Sequence, residues 1–450
     1  MQRIETDVLV IGAGMAGLTA AARSLDRGAS VVVVEKADTV GGSARFAGYA
    51  WTAPSREVMD EVNPAGDPAL RNALVDGFAD GIAWIRALGV HCADAVPILR
   101  YGRGHQFDTN QYLDECRRRV SAGGQLLTGT ETLALHREDG AVTGAHVRRP
   151  DGSEVEIISS AVVLATGGFQ ADSELVAEHI HPRAAEMPLR ANPVSAGAGL
   201  RLAESVGAAT GTSRSGFYGH LVPTQVPFRD SADFVGLSLY YSEHALLFNL
   251  DNRRFTDETL GDHLTAMRLL DQPEARGLLV ADERVYREWV LGSYVEGAVA
   301  VDKFELTQRR GGRCGIADTL DDFAYLPPEW GYGGAAVAEQ IRQVNLAGPA
   351  VRPARTHDAA PLDAGPYYLI ETCPALTFPF HGIRIDAAAR VLSATGGTVP
   401  GLFAAGSDTG GLYHYAYAGG IASALVFGLA AADTATGCLA TAPAGPAVNT

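Results

Sequence analysis

Asp7-Val8-Leu9-Val10-Ile11-Gly12-Ala13-Gly14-Met15-Ala16-Gly17 is a hydrophobic run that breaks into a glycine-rich turn. A stretch rich in alanine carries on to Gly28, a second run follows from Val31 to Val34, and Glu35 closes it. Buried strand, tight turn, small-residue helix and second buried strand form a βαβ unit. Each glycine has a distinct task. Gly12 lets the chain turn out of the strand, Gly14 lets backbone approach a pyrophosphate, and Gly17 lets the helix lie close on the sheet. The helix N-terminus offers unpaired N–H groups and its positive dipole end to phosphates. Glu35 stands close to the spacing of about 20 residues at which an acid binds a ribose hydroxyl.

The next residues select the dinucleotide. After Glu35 the chain runs Lys36-Ala37-Asp38-Thr39-Val40-Gly41-Gly42-Ser43-Ala44, a small-residue segment suited to supply further backbone to an extended dinucleotide such as FAD. Ala161 to Gly168 and Pro400 to Asp408 are buried-type strands that end in small residues, which keep side chains away from a cofactor. No second strand-flanked GxGxxG is found, since Gly311-Gly312-Arg313-Cys314-Gly315 lacks that setting, so the expected electron partner is external rather than NAD bound on this chain.

Together, Gly12 to Gly17, Glu35-Lys36, Gly41-Gly42-Ser43, Ala165-Thr166-Gly167-Gly168 and Gly401 to Gly406 resemble the flavoprotein superfamily of fumarate reductases and 3-ketosteroid dehydrogenases. Ser195 to Gly199 is similar to its TGDG-like flavin segment, and Asn249 through Arg254-Phe255-Thr256-Asp257-Glu258 to its "N-x-x-G-x-R-F-x-x-E" hairpin. Gly410 to Tyr413, Tyr415 and Val426 to Gly428 look most like ketosteroid dehydrogenase-type and tricarballylate dehydrogenase-type members. The resemblance implies an α/β fold: a Rossmann-like FAD-binding domain of the GR2 type with an inserted α+β capping and catalytic domain. Chain order divides it into residues 1–215 and 366–450 for the FAD-binding domain and 216–365 for the cap. The FAD contacts it implies are Gly12, Gly14, Ala16, Gly17, Glu35, Lys36, Gly41, Gly42, Ser43, Ala44, Gly48, Thr132, Ala165, Thr166, Gly167, Gly406, Asp408, Gly420 and Ile421. Attachment is expected to be noncovalent, because Gly41 to Gly48 contains no histidine or cysteine.

The same resemblance frames the reaction. In the fumarate reductase branch an arginine shortly after the R-F-x-x-E element protonates the alkene, whereas this chain reads Thr259-Leu260-Gly261-Asp262-His263 there. In the ketosteroid dehydrogenase branch one tyrosine abstracts a proton next to a ketone while another tyrosine and a backbone N–H polarise the carbonyl. Tyr413-His414-Tyr415-Ala416-Tyr417-Ala418-Gly419-Gly420 fits that tyrosine motif in two registers, at Tyr415 or at Tyr417. A phenol has a pKa of about 10, so such a base needs a polarising neighbour. A helix starting near Gly419-Gly420 would stabilise negative charge on a flavin or enolate. Alternation places Tyr413, Tyr415 and Tyr417 on one face of an extended segment, which also suits packing.

His381 stands where the family has a glycine, and an imidazole there suits proton transfer near neutral pH or binding of a carbonyl or carboxylate. Tyr241 completes the catalytic candidates. Arg103 and His105, in a loop rich in glycine, with Tyr240 and Gly419, are the substrate-binding candidates. The expected activity is an FAD-dependent dehydrogenase introducing a C=C bond α,β to a carbonyl of a ketosteroid, another cyclic ketone or a small polycarboxylate. A reductase of an activated alkene and a flavin electron carrier are the alternatives.

Composition agrees. The 450 residues carry 36 basic and 52 acidic side chains, a net charge of −16, which disfavours nucleic acid and anionic membrane as partners. Five cysteines without CxxC or zinc spacing suit a reduced, cytoplasmic protein. His179 and His181 lack the further ligands of a metal site, so no metal is expected. No apolar run approaches the roughly 20 residues of a membrane span, and Thr441 to Thr450 is expected to be a disordered tail.

Overall fold

The computed structural model describes residues 2–230, 232–296 and 298–441. The expectation for the tail therefore falls outside the described residues beyond Thr441. The chain forms two compact units, the first drawn from Met1–Leu175, Ala191–Ser215 and Phe378–Thr450, the second from Val176–Arg190 and Gly216–Thr377.

The first unit is built on a parallel core. Strand β1 (Gln2–Ile11) leads into helix α1 (Met15–Asp26) and strand β2 (Val31–Val34). Val8 to Ile11 pair in parallel with Val31 to Val34 on one side and with Ala161 to Leu164 on the other. Continuous Val, Leu and Ile runs suit this setting, because a parallel strand is covered on both faces. The sheet order places Arg390–Leu392, Thr398–Ala404, Glu154–Leu164, β1, β2 and Gln125–Leu127 side by side. The last helix, Gly420–Thr441, packs on α1 through small residues: a Cβ on Gly428 would come within 3.1 Å of the Thr19 side chain.

That last helix departs from the sequence expectation about membranes. Gly420–Leu439 is 20 residues long and apolar enough to cross a bilayer, yet half of it is buried inside the protein. Ala422, Leu425 and Phe427 are buried core side chains, so its apolarity serves packing within the first unit.

The second unit is a sheet with Phe217–Pro223, Tyr367–Pro379, Gly277–Ala281 and Leu246–Asn249 in that order, and Cys314–Ala317 also paired to the long strand. Period-two alternation sorts its side chains. Leu246, Phe248, Leu278 and Val280 join Val337 and Ile341 of the helix Gly334–Ala347. Leu247, Leu279 and Ile370 face the other way and meet Ala266 and Leu269 of the helix Asp262–Leu270. Residues 176–190 and 366–377, which a division at 215 and 366 gives to the flavin segments, fold with this unit. Backbone bonds tie them together: Leu376 N–H donates to Pro188 O at 2.9 Å, and Arg190 N–H to Leu376 O at 2.7 Å.

Candidate active site

The glycine turn separates two reasons for glycine. A side chain on Gly12, whose φ is +105°, would run into Ala165 O, and one on Gly17 would run into Gly12 O. These two are demanded by the protein's own packing. A Cβ on Gly14 would meet nothing within 4 Å. Gly14 is also the residue that caps α1 with no side-chain hydrogen bond, so the first N–H groups of the helix open onto that space and suit a pyrophosphate.

The second glycine pair converges on the same turn. Gly41 N–H donates to Ala13 O at 2.7 Å, and Gly41 forms a β-bridge with Gly14. Glu35 holds the turn from below: its carboxylate accepts Ala13 N–H at 2.7 Å and Ala37 N–H at 2.8 Å. Each carboxylate oxygen keeps a further lone pair for a ribose hydroxyl. Lys36 turns to Glu131 at 3.0 Å on the surface. Thr132, on the strand Glu131–Glu138, lies two residues after Thr130, whose N–H donates to Glu35 O at 2.9 Å. Ser43 accepts Asn192 N–H at 3.0 Å, Ala44 is buried, and a Cβ on Gly48 would find open space.

Asp408 organises the other wall. Its buried carboxylate accepts from Thr166 Oγ1 at 2.9 Å, from Gly168 N–H at 3.0 Å and from Thr166 N–H. Burial pushes its pKa up while those donors pull it down. Thr166 Oγ1 in turn accepts Gly199 N–H at 2.9 Å. Asp408 thus shapes Ala165 to Gly168 through hydrogen bonds of its own. Gly406 lies against Ala16, 3.0 Å from where its Cβ would stand to that of Ala16.

The two tyrosine registers look different in three dimensions. Tyr417 is buried, its hydroxyl accepts Gly420 N–H at 2.8 Å at the start of the last helix, and its ring meets Trp51 edge-on at 5.4 Å. Tyr101 donates to Tyr417 O at 2.5 Å, and Tyr413 to Gly419 O at 3.1 Å. Tyr415 is 39% exposed with φ at +48°. Gly419 has φ +98°, and a side chain there would run into Trp51 O; Ile421 follows in the last helix. His381 is buried with its ring edge-on to Phe169 at 5.9 Å.

Arg103 and His105 sit on a strand, Gly102–Gln106, where a loop was expected. The glycines are there because Trp51 lies over the strand: a Cβ on Gly102 would stand 2.5 Å from its ring. Arg103 donates to Ala95 O at 2.9 Å, and the His105 ring bonds Ala93 O at 2.7 Å.

The second unit holds a buried polar cluster that the sequence did not single out. Tyr218 and His220, two apart on the strand Phe217–Pro223, share a face. His220 Nδ1 lies 2.6 Å from Asp262, and its Nε2 lies 2.8 Å from the Tyr218 hydroxyl. Asp262 opens the helix Asp262–Leu270, just after the turn braced by Glu258. Glu258 accepts Arg254 Nε at 2.8 Å and Leu247 N–H at 3.0 Å, so the R-F-x-x-E element acts as a brace. Burial, with help from the Arg190 and Lys303 charges, holds the His220 imidazole below its ordinary value against the pull of Asp262. A neutral imidazole with Nδ1–H directed at the carboxylate leaves Nε2 to accept the Tyr218 proton. Although burial opposes it, the His220 ring keeps Asp262 below the usual carboxylate range.

Tyr240 flanks His220 edge-on at 5.0 Å and accepts from Arg190 at 3.3 Å. Its neighbour Tyr241 instead points into the apolar core with Leu221, Leu239 and Leu247. The alternation Tyr218-Gly219-His220 was the available signal for this cluster; nothing local linked it to Asp262, Arg190 or Lys303.

Comparison with known proteins adds the family. The FAD binding domain model matches residues 7–423. The fumarate reductase (cytochrome) of Shewanella frigidimarina is 27% identical over 95% of this chain and 76% of its own length. The 4-oxocyclohexanecarboxylate 2-dehydrogenase of Sinomonas cyclohexanicum is 25% identical over 92% of this chain and 89% of its own. The solved 3-ketosteroid-Δ4-(5α)-dehydrogenase of Rhodococcus jostii shares the fold with a TM-score of 0.76 at 19% identity, over 97% of this chain and 98% of that one. Because the match runs from the first strand to the start of the last helix, it covers both the glycine turn and the polar cluster: the chain belongs to the FAD binding domain family and is an FAD-dependent oxidoreductase.

Proposed function

We propose that the protein is a dehydrogenase that introduces a carbon–carbon double bond next to the carbonyl of a cyclic ketone, the reading best supported by the Tyr218–His220–Asp262 chain. Tyr218, half-buried, is the base. As its oxygen takes the proton from the carbon α to the carbonyl, its own proton passes to His220 Nε2, and Asp262 stabilises the imidazolium. Bound FAD supplies the two-electron acceptor for the hydride that leaves the β carbon. The α proton and β hydride together account for the new double bond, and an external acceptor reoxidises the cofactor. Tyr417 is assigned to hold Gly420 at the helix start, and FAD is held without a covalent link. The reading of the first unit as FAD-binding and the second as its cap, and the cytoplasmic location, are part of this proposal.

Asp262 in the segment where the fumarate reductase branch carries its acidic arginine favours oxidation over alkene protonation. The Sinomonas relative, named for a dehydrogenase of an oxocyclohexane carboxylate, supports the same substrate type. The Shewanella relative, named a fumarate reductase, favours a second reading in which Tyr218 returns a proton to an activated alkene. The two separate in one experiment. Oxidised protein is mixed anaerobically with cyclohexanones, carboxylated cyclohexanones, 3-ketosteroids and succinate, and bleaching of the flavin absorbance is followed. Bleaching by a saturated ketone is expected, with Tyr218→Phe abolishing it. Reoxidation of reduced protein by fumarate or another alkene, with no bleaching by any ketone, sinks the proposal.

A further inference from the structure

The first 45 residues carry five basic side chains, and four of them are paired. Arg3 meets Glu5 at 3.0 Å, Arg23 and Arg27 meet Asp433 at 2.7 and 3.0 Å, and Lys36 meets Glu131 at 3.0 Å. Arg45, which is exposed, makes no ion pair among the described residues.

The Arg45 side chain is nevertheless fixed. Its Nε donates to the carbonyl of buried Val40 at 2.5 Å. That bond folds the side chain back over Gly41, where a Cβ would stand 2.5 Å from Arg45 Nε and 2.8 Å from its Cγ. Gly41, with φ at +111°, therefore makes room for the arginine as well as for the turn. Gly41 is also the residue that donates to Ala13 O and forms the β-bridge with Gly14. The guanidinium is thus held over the backbone that braces the glycine turn, beside the start of α1. An arginine tied through Nε keeps both terminal amino groups in a fixed fork, which suits a phosphate.

The turn itself supplies little charge. Residues 12–17 include no basic side chain, and a helix start is worth roughly half an elementary charge. A dinucleotide carries a negative charge on each of its phosphates, and the Glu35 carboxylate lies against Ala13 N–H. A nearby cation offsets both.

We infer that Arg45 is a further FAD-binding residue, which holds the pyrophosphate through its terminal amino groups while Gly14 and the start of α1 hold it through backbone N–H. The role is the same whether the flavin oxidises a ketone or reduces an alkene, because only the cofactor's phosphates are involved.

Flavin-loaded protein tests this without turnover, by two measurements. One is the phosphorus NMR spectrum of bound FAD; the other is the rate at which FAD leaves, followed as the rise of flavin fluorescence after dilution. Arg45→Met keeps much of the stem without the charge. It is expected to move the pyrophosphate resonances and to release FAD about tenfold faster or more, the scale of hydrogen bonds to a charged group. Arg45→Lys, which restores the charge without the fork, should fall between Arg45→Met and the native protein. It also covers the case in which Arg45→Met fails to fold or purifies without flavin. Added potassium chloride should quicken release from the native protein more steeply than from Arg45→Met. Pyrophosphate resonances unmoved in both variants overturn the inference whatever the release rate, because Arg45 then acts away from the phosphates. Release as slow as native in both variants overturns it as well. If no FAD leaves the native protein at all, the noncovalent reading fails instead, and the phosphorus resonances alone decide the role of Arg45.

Discussion

The glycine turn of the first unit and the tyrosine–histidine–aspartate cluster of the second are assembled in opposite ways. The turn is made within the first 42 residues, by backbone, with Glu35 clasping Ala13 and Ala37. The cluster draws Arg190, Tyr218, His220, Tyr240, Asp262 and Lys303 from five separate segments, by side chains. The turn is marked by what it leaves out, since Gly14 faces open space. The cluster is marked by what it places, an imidazole between a phenol and a carboxylate. The turn is thus built largely from backbone close in sequence, and the cluster from side chains far apart in it.

The largest effect that would break this contrast lies in the turn. Gly14→Val should yield a folded protein that purifies with little flavin, whereas Gly17→Val, which meets Gly12 O, should lower both flavin content and melting temperature. Flavin absorbance per chain and a thermal melt distinguish them; equal melting losses would show that Gly14 too is a packing glycine. Next, His220→Gln should keep its flavin and lose about 10²- to 10⁴-fold in turnover, the range of general acid–base catalysis. Asp262→Asn should follow it, and an unchanged rate in both would remove the relay.

The pH dependence of stability sharpens the comparison further. The unfolded chain protonates His220 at pH ~6.5, the ordinary value for imidazole, while burial keeps the folded group neutral to lower pH. Stability should therefore fall as pH drops below that point, by up to about 1.4 kcal/mol per pH unit. His220→Gln should flatten this slope. On the alkaline side Lys303, lowered from 10.5 to about 8, makes the unfolded chain the better proton binder, so stability should rise as pH climbs between those values. Denaturant unfolding across pH checks both arms.

Smaller effects belong to the walls of the first unit. Asp408→Ala should leave Thr166 and Gly168 donors unsatisfied and cost about 1–3 kcal/mol, read by denaturant unfolding. Tyr417→Phe, which loses the acceptor for Gly420 N–H, should cost about 1 kcal/mol, and Tyr415→Phe should cost less. The reverse order would favour the Tyr415 register.

Much of the first unit is legible in the chain. Val8 to Ile11 and Val31 to Val34 are buried as their unbroken apolar runs imply. Gly17 reports a close approach to a residue near in sequence, whereas Gly12 reports one to Ala165 at the end of a distant neighbouring strand. The loop expected around Arg103 and His105 failed because its glycines answer to Trp51, some 50 residues earlier, across a sheet. The apolar last helix exceeded the expectation because its small, greasy face is matched to α1. Tyr241 reads like Tyr240 in the sequence, and only the direction of each side chain separates a core residue from a member of the cluster.

The sequence by itself determined the βαβ unit, its cofactor class and the family pattern, because each is written in short runs of small and apolar residues whose backbone conformation they dictate. Tertiary structure alone decided that Asp262 and the Tyr218 hydroxyl both meet the His220 ring and that two cations flank Tyr240. The reason is that hydrogen bonds and charges act over a few ångströms. The residues that share them here are separated by up to about a hundred positions of chain, and no local pattern records which of them the fold brings within reach.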